Sequence, residues 1–184
     1  MQLFVVGAGG FGREVYAYAI DAGLDVAGFV DDRADADPRV VASPDTIEPR
    51  EHDRYVIAVG DPRARRTLVR RITARGGRFA KVVHPTAYVA ATAHVSAGCV
   101  LAPFSFVGPG ARLLEHVALN TYASAGHDAI VGPNAVFSPY AVVNGAVVVE
   151  EGVFLGTHAT AVVGTRVGAW SKLAAGAVTT ADVS

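Results

Sequence analysis

Residues Val100–Ala135 read "VLAPFSFVGPGARLLEHVALNTYASAGHDAIVGPNA", and their period decides the fold. Counted in sixes from Leu101, the first members are Leu101, Val107, Leu113, Leu119, Ala125 and Val131. The fifth members are Ser105, Ala111, Val117, Ala123, Ala129 and Ala135, all small or β-branched. Extended outward, the frame holds from Val83 to Ser184 without a slip, over 102 residues. Fourteen of its 17 first members are Val, Leu or Phe, which makes chance periodicity untenable. A fixed short period of this kind specifies a stacked repeat architecture, here a β-solenoid. Each hexad supplies a short strand and a corner, and three hexads close one triangular coil of 18 residues. Side chains alternate along a strand, so first and fifth members face inward and sixth members face out.

Outward positions of a solvated solenoid are expected to be polar. Here Val100, Phe106, Ile130, Val136, Val142, Val148 and Phe154 occupy them. A contiguous exposed apolar face marks a partner surface, and an oligomer is expected.

Upstream of Val83 the pattern is different. "QLFVV" (2–6) reads as a strand, "GAGGFG" (7–12) as a glycine turn and "REVYAYAIDAG" (13–23) as a helix. "DVAGFVDD" (25–32) and "YVIAVG" (55–60) read as further strands, and 61–77 as a second helix with Pro62 early and Gly76–Gly77 at its end. Strand–helix–strand order implies a parallel α/β sheet over 1–82, ahead of the solenoid domain at 83–184.

Composition excludes several classes of function. The chain is 51% hydrophobic with a net charge of −1, so no basic field points to nucleic acid or to an anionic membrane. No apolar run reaches the ~20 residues of a membrane span, and the N-terminus has no positive leader segment. A soluble cytoplasmic protein is expected. One cysteine, Cys99, falls at a buried fifth position and is expected to be inert. His94, His116 and His158 lack the spacing of a zinc site, and no metal is expected.

The hexads, together with "VVGAGGFGREV", "FVDD", "AVGDPRARR", "VVHPTAYVA" and "NT…HDAIVG", resemble one branch of the hexapeptide-repeat acyltransferases. That branch is the sialic acid O-acetyltransferase type, which includes N-acetyltransferases of nucleotide-linked 4-amino sugars. The resemblance covers nearly the whole chain. It implies a Rossmann-like half-domain followed by a left-handed parallel β-helix, a homotrimer, and acetyl-CoA lying between neighbouring β-helices.

The titratable pair His127–Asp128 stands in an otherwise uncharged stretch, and His127 is a third member, hence at a corner. An imidazole titrates near neutral pH and suits general-base work. The resemblance makes His127 the base, with Asp128 orienting it in place of the usual Glu. Gly145 lies 18 residues on, one coil above, at about one strand spacing of ~4.8 Å. The resemblance gives its N–H to the thioester oxygen, which makes Gly145 an oxyanion donor and part of the acetyl-CoA site together with Thr157 and Ala175. Asn120 matches a residue near the acceptor sugar, and Val136 stands where the family often has His.

Gly7–Gly12 satisfies G-x-G-x-x-G between a strand and a helix. The unit is half the size of a full dinucleotide fold, so a single nucleotide is expected. The resemblance places the substrate's phosphates on Gly9, Gly10, Phe11 and Gly12, and its base or ribose near Asp31, Asp32 and Arg65. Transfer to a nucleotide-linked 4-amino sugar, O-acetylation of sialic acid or a related sugar, and a non-catalytic nucleotide-sugar scaffold remain open at this point.

Overall fold

Each hexad forms a two-residue strand from its sixth member and the next first member, beginning with Val82–Val83 and ending with Val178–Thr179. In this computed structural model, which describes all residues Met1–Ser184, the strands stack into three parallel sheets of six, six and five strands. Every pairing is offset by 18 residues, as in Ala118↔Val136, Ser124↔Val142 and Ile130↔Val148, which represent the first, second and third faces. The solenoid core holds 23 buried residues, all of them first or fifth members of the hexads. Large first members meet small fifth members, so the triangular interior fills without overpacking. Cys99 is in this core, where burial pushes its thiol up to about 11.

The corners explain the rest of the hexad. From Gly98 to Gly176 every fourth member is left-handed, with φ between 56° and 74°, and nine of these residues are not glycine. The third member's N–H points away from the coil and finds no backbone acceptor. Proline is therefore free of cost there, and Pro85, Pro103, Pro109, Pro133 and Pro139 all occupy it.

The N-terminal region comprises β1 (Gln2–Val6), α1 (Gly10–Asp21), β2 (Val26–Val30), β3 (Val40–Ala42), β4 (Asp53–Ile57) and α2 (Pro62–Ala74). Its parallel sheet has the order β3-β2-β1-β4. Strand β3 escapes the sequence reading because three residues flanked by polar and proline-bearing segments carry no period. Helix α1 begins inside the glycine turn, three residues earlier than the expected Arg13, because Gly9 takes an extended N-cap conformation.

The structure divides the outward apolar residues differently from the sequence expectation. Val100, Ala118 and Val136 on the first face are buried against Val15 and Ala19 of α1, in one cluster with β1 and Phe29. That part of the outer surface is covered by the chain itself, not by a partner. The second face stays open, with Tyr88, Phe106 and Val178 exposed.

Arg65 also departs from its expected role. It is fully buried, and its guanidinium donates to the carbonyls of Ile57 and Val59 (both 3.0 Å) and to that of His116 (2.7 Å). It ties α2 and the end of β4 to a solenoid corner and has no free donor facing solvent for a substrate. His116 is buried beside it, edge-on to Phe79 at 4.5 Å. Burial, and then the charge of Arg65, hold the His116 imidazole down to about 4. His84 makes the other tie, through Thr86 (2.8 Å) and Asp21 of α1 (3.3 Å).

Replacing Arg65 by Leu leaves three buried carbonyls unpaired, and chemical denaturation is expected to show a loss of about 2–4 kcal/mol. The sign of the His116 effect follows from linkage. The folded state keeps this imidazole neutral, while the unfolded chain protonates it near its ordinary value of 6.5. Its contribution is therefore complete above pH 6.5 and is lost as pH falls toward 4. His116→Asn should flatten the stability profile between pH 6.5 and 5, where carboxylates still stay ionised; an unchanged slope would contradict this assignment.

Candidate active site

His127 sits at the corner between the second face, after Ser124–Ala125, and the third face, before Ile130–Val131. The next residue, Asp128, is left-handed (φ 57°), which folds its short side chain back toward the ring. Its Oδ2 lies 2.9 Å from His127 Nδ1. The Nδ1–H donates to the carboxylate, so Nε2 carries the free lone pair. One methylene fewer than glutamate costs nothing here, because the corner conformation makes up the reach. Both side chains are about two-thirds exposed.

Two glycines clear the space for this pair. A methyl built on Gly145 would fall inside the His127 ring, so the imidazole rests directly on Gly145 one coil above. A methyl on Gly110, one coil below, would collide with Asp128 Oδ1. Gly110 carries no local motif; its signal is the same 18-residue offset, counted backward from Asp128. As a third member, Gly145 keeps its N–H unpaired, and its α-carbon is the atom on which the Nε2 side of the ring rests. Ala146 N–H, on the same upper coil as Gly145, donates to His127 O (2.8 Å) and fixes the spacing of the two coils. An open groove of about 520 Å³ runs over the second face past these atoms, lined by Phe106, Ser124, Val142, Val163, His127 and Gly145. The arrangement brings an imidazole with a free nitrogen, a carboxylate partner and an unpaired backbone N–H to one corner, the groups that general-base chemistry on a carbonyl uses.

The other expected residues lie elsewhere. Asn120, Thr157 and Ala175 belong to the corner between the first and second faces, on the opposite edge of the second face from His127. Asn120 Oδ1 accepts from Thr121 N–H at 2.8 Å, leaving its amide NH2 uncommitted. Val136 is buried beneath the N-terminal sheet.

A second cavity, about 480 Å³, opens at the carboxyl ends of the β-strands, among Gly7, Asp31, Asp32, Val59, Ala64 and Arg71. This is where parallel α/β sheets take ligands. Gly7 is left-handed (φ 105°) and packs on Val59, and Gly12 lets α1 approach the Gly7 carbonyl. Gly9 and Gly10 face open space, and the first amides of α1, from Gly10, Phe11 and Gly12, have no side-chain cap. Such amides favour an anion. Asp31 is committed to the loop itself, accepting from Ala8 N–H (2.8 Å) and Arg33 N–H (2.9 Å). Asp32 forms a two-pronged pair with Arg71 (both 2.7 Å), and Arg71 also holds Asp45. That guanidinium keeps both carboxyls below their usual range. The two cavities share no lining residue.

The geometry has close counterparts. Residues 2–72 match the model of the PglD N-terminal domain family. Over 99% of this chain and 92% of the other, the fold superposes on the acetyltransferase domain of PglB from Neisseria gonorrhoeae in complex with acetyl coenzyme A, at 30% identity and a TM-score of 0.90. It also matches a mutant of perosamine N-acetyltransferase from Caulobacter crescentus in complex with CoA and GDP-perosamine. There the identity is 25%, the TM-score 0.92, and the coverage 100% of this chain and 90% of that one.

Replacing Gly145 by Ala pushes the His127 ring off its seat without touching the core. Two-dimensional NMR of the imidazole should show His127 resonances displaced in Gly145→Ala, with the melting temperature within about 4 °C of wild type. Unmoved resonances would mean that the ring does not rest on Gly145.

Proposed function

We propose, since this chain belongs to the hexapeptide-repeat sugar N-acetyltransferases with a left-handed β-helix, that it acetylates the 4-amine of a nucleotide-linked amino sugar. It is an acetyl-CoA-dependent acyltransferase. The observation that carries the mechanism is the seating of His127. Its Nδ1–H is held by Asp128, its Nε2 is free, and the ring rests on Gly145, whose N–H has no backbone partner.

In this reading the acceptor amine attacks the thioester carbonyl carbon and gives its proton to His127 Nε2. Asp128 stabilises the imidazolium through Nδ1–H. The oxygen, now negatively charged, takes a hydrogen bond from Gly145 N–H. The carbonyl re-forms, the C–S bond breaks, and the imidazolium returns the proton to the leaving thiolate. The products are the acetamido sugar and CoA. No acyl-enzyme is required, because the only cysteine is buried in the solenoid core.

The nucleotide fits the cavity beside the glycine loop, with phosphates toward the open amides of Gly10, Phe11 and Gly12 and the base or ribose toward Asp32. Within one chain that cavity and the His127 groove are separate, so the acceptor reaches a base on another copy. A homotrimer built around the open second face satisfies this need. The solved relatives hold acetyl-CoA, or CoA with GDP-perosamine, and those ligands are of the classes proposed here.

Free CoA release from acetyl-CoA, assayed against GDP-, UDP- and dTDP-linked 4-amino sugars and free sialic acid, tests the reading. Release is expected with a nucleotide amino sugar, and His127→Ala is expected to lower it about 10²–10⁴-fold. Turnover with free sialic acid alone would replace the N-acetyl assignment by O-acetylation, and full activity in His127→Ala would remove the base.

A further inference from the structure

Along the corner between the first and second faces, four fourth members at 18-residue spacing are aromatic: Phe104, Tyr122, Tyr140 and His158. Their rings stack at 5.0, 4.8 and 4.8 Å between centroids, with interplanar angles of 16°, 6° and 12°. All four are left-handed, with φ from 57° to 60°. Glycine takes that conformation more readily and already fills five other fourth positions of the solenoid. Phe104, Tyr122 and Tyr140 are 44–52% exposed, and neither tyrosine hydroxyl has a hydrogen-bond partner. A strained, exposed column of aromatic rings with free hydroxyls is poorly explained by the stability of one chain.

The position of the column gives it a use. The first face is covered by α1 and its sheet, and the third carries Arg112 and Arg166 on its outer side. Of the two open faces, the second carries no charged outward side chain and shows Tyr88, Phe106 and Val178, whereas Ile130 and Val148 on the third stand among His94, Arg112 and Arg166. In a closed three-fold ring the same face of each copy turns toward the axis, and opposite edges of that face meet at each junction. One edge of the second face is the corner of His127 and Gly145; the other is the aromatic column. With the axis parallel to the solenoid, heights are read directly from residue numbers. Tyr140 falls 13 residues above His127 and five below Gly145, within the one-coil interval between them. Tyr122 falls five residues below His127. In a single chain, by contrast, His127 faces a groove with one wall and is open to water.

We infer that the column of one protomer forms the missing wall of the neighbour's His127 groove, with Tyr122 and Tyr140 as positioning residues that exclude water and aim the acceptor. The inference rests on the acetyltransferase reading and on the trimer. It assigns the column a role in trans that a structural role in its own chain does not reproduce.

The test is subunit mixing. Tyr122→Gly/Tyr140→Gly suits the left-handed corners and should fold, keep the trimer mass in light scattering, and lose at least about tenfold in kcat. The single variant Tyr140→Phe, which keeps the stacked ring, should retain most of the activity. His127→Ala is inactive but carries an intact column. When the glycine double variant and His127→Ala are unfolded, mixed in equal amounts and refolded together, one junction in four pairs an intact His127 with an intact column. Activity should then recover to about a quarter of wild type. If the column acts within its own chain, the mixture stays near one-twentieth. That result, or wild-type activity in the glycine double variant, overturns the inference. Absence of CoA release from the wild-type enzyme itself would instead strike the acetyltransferase reading, and it is read separately.

Discussion

The closure of an 18-residue coil by three left-handed corners is the constraint from which everything else in the solenoid follows. The fourth member turns the chain with φ near 60°, and the turn leaves the third member's N–H outside the ladder. Five prolines tolerate that loss, and at Gly145 the same N–H is left unpaired next to the His127 ring. The scaffold thus leaves third-position amides outside the ladder: Thr121 and Ala169 give theirs to side chains, five positions are proline, and Gly145 keeps its amide free. His127 stands beside the free amide of Gly145, which is why the proposed chemistry is assigned to this corner. Repeat geometry converts sequence offset into height, so residues 18 apart become neighbours without any long-range search.

The N-terminal region is bound to this scaffold by apolar burial and by two polar ties. Val100, Ala118 and Val136 meet α1, while Arg65 and His84 reach across with hydrogen bonds. Arg65 spans α2, the end of β4 and the His116 corner, so the cavity at the carboxyl ends of the strands has a fixed height relative to the coils. A flexible junction would lose the entropic advantage of holding two substrates in one geometry. The buried cation is costly unless its donors are paired; three carbonyls take its two NH2 groups, while its Nε has no partner.

Much of this is legible in the sequence. The hexad register of Leu101, Val107 and Leu113 gives the solenoid, its core and the seating of Gly145 over His127, because periodicity alone sets which side chains face in. Asp31, Asp32 and Arg65 are recognisable as a set, but their partners are not. That Arg65 turns inward and Asp32 is committed to Arg71 depends on contacts 39 to 51 residues apart in sequence, which no local pattern encodes. The apolar sixth members show the same limit. Val100 and Phe106 look alike in the hexad, yet one is covered by α1 and the other is open. Gly110 carries a signal only once its coil partner Asp128 is given a role.

The claim at the centre of this account is that acetyl transfer occurs where His127 rests on Gly145. A crystal structure of the assembled protein with CoA tests it most directly. The CoA sulfur is expected within about 4 Å of His127 Nε2, in a groove closed by a neighbouring copy. A sulfur placed at another corner, or CoA seated in the cavity beside the glycine loop, would contradict it.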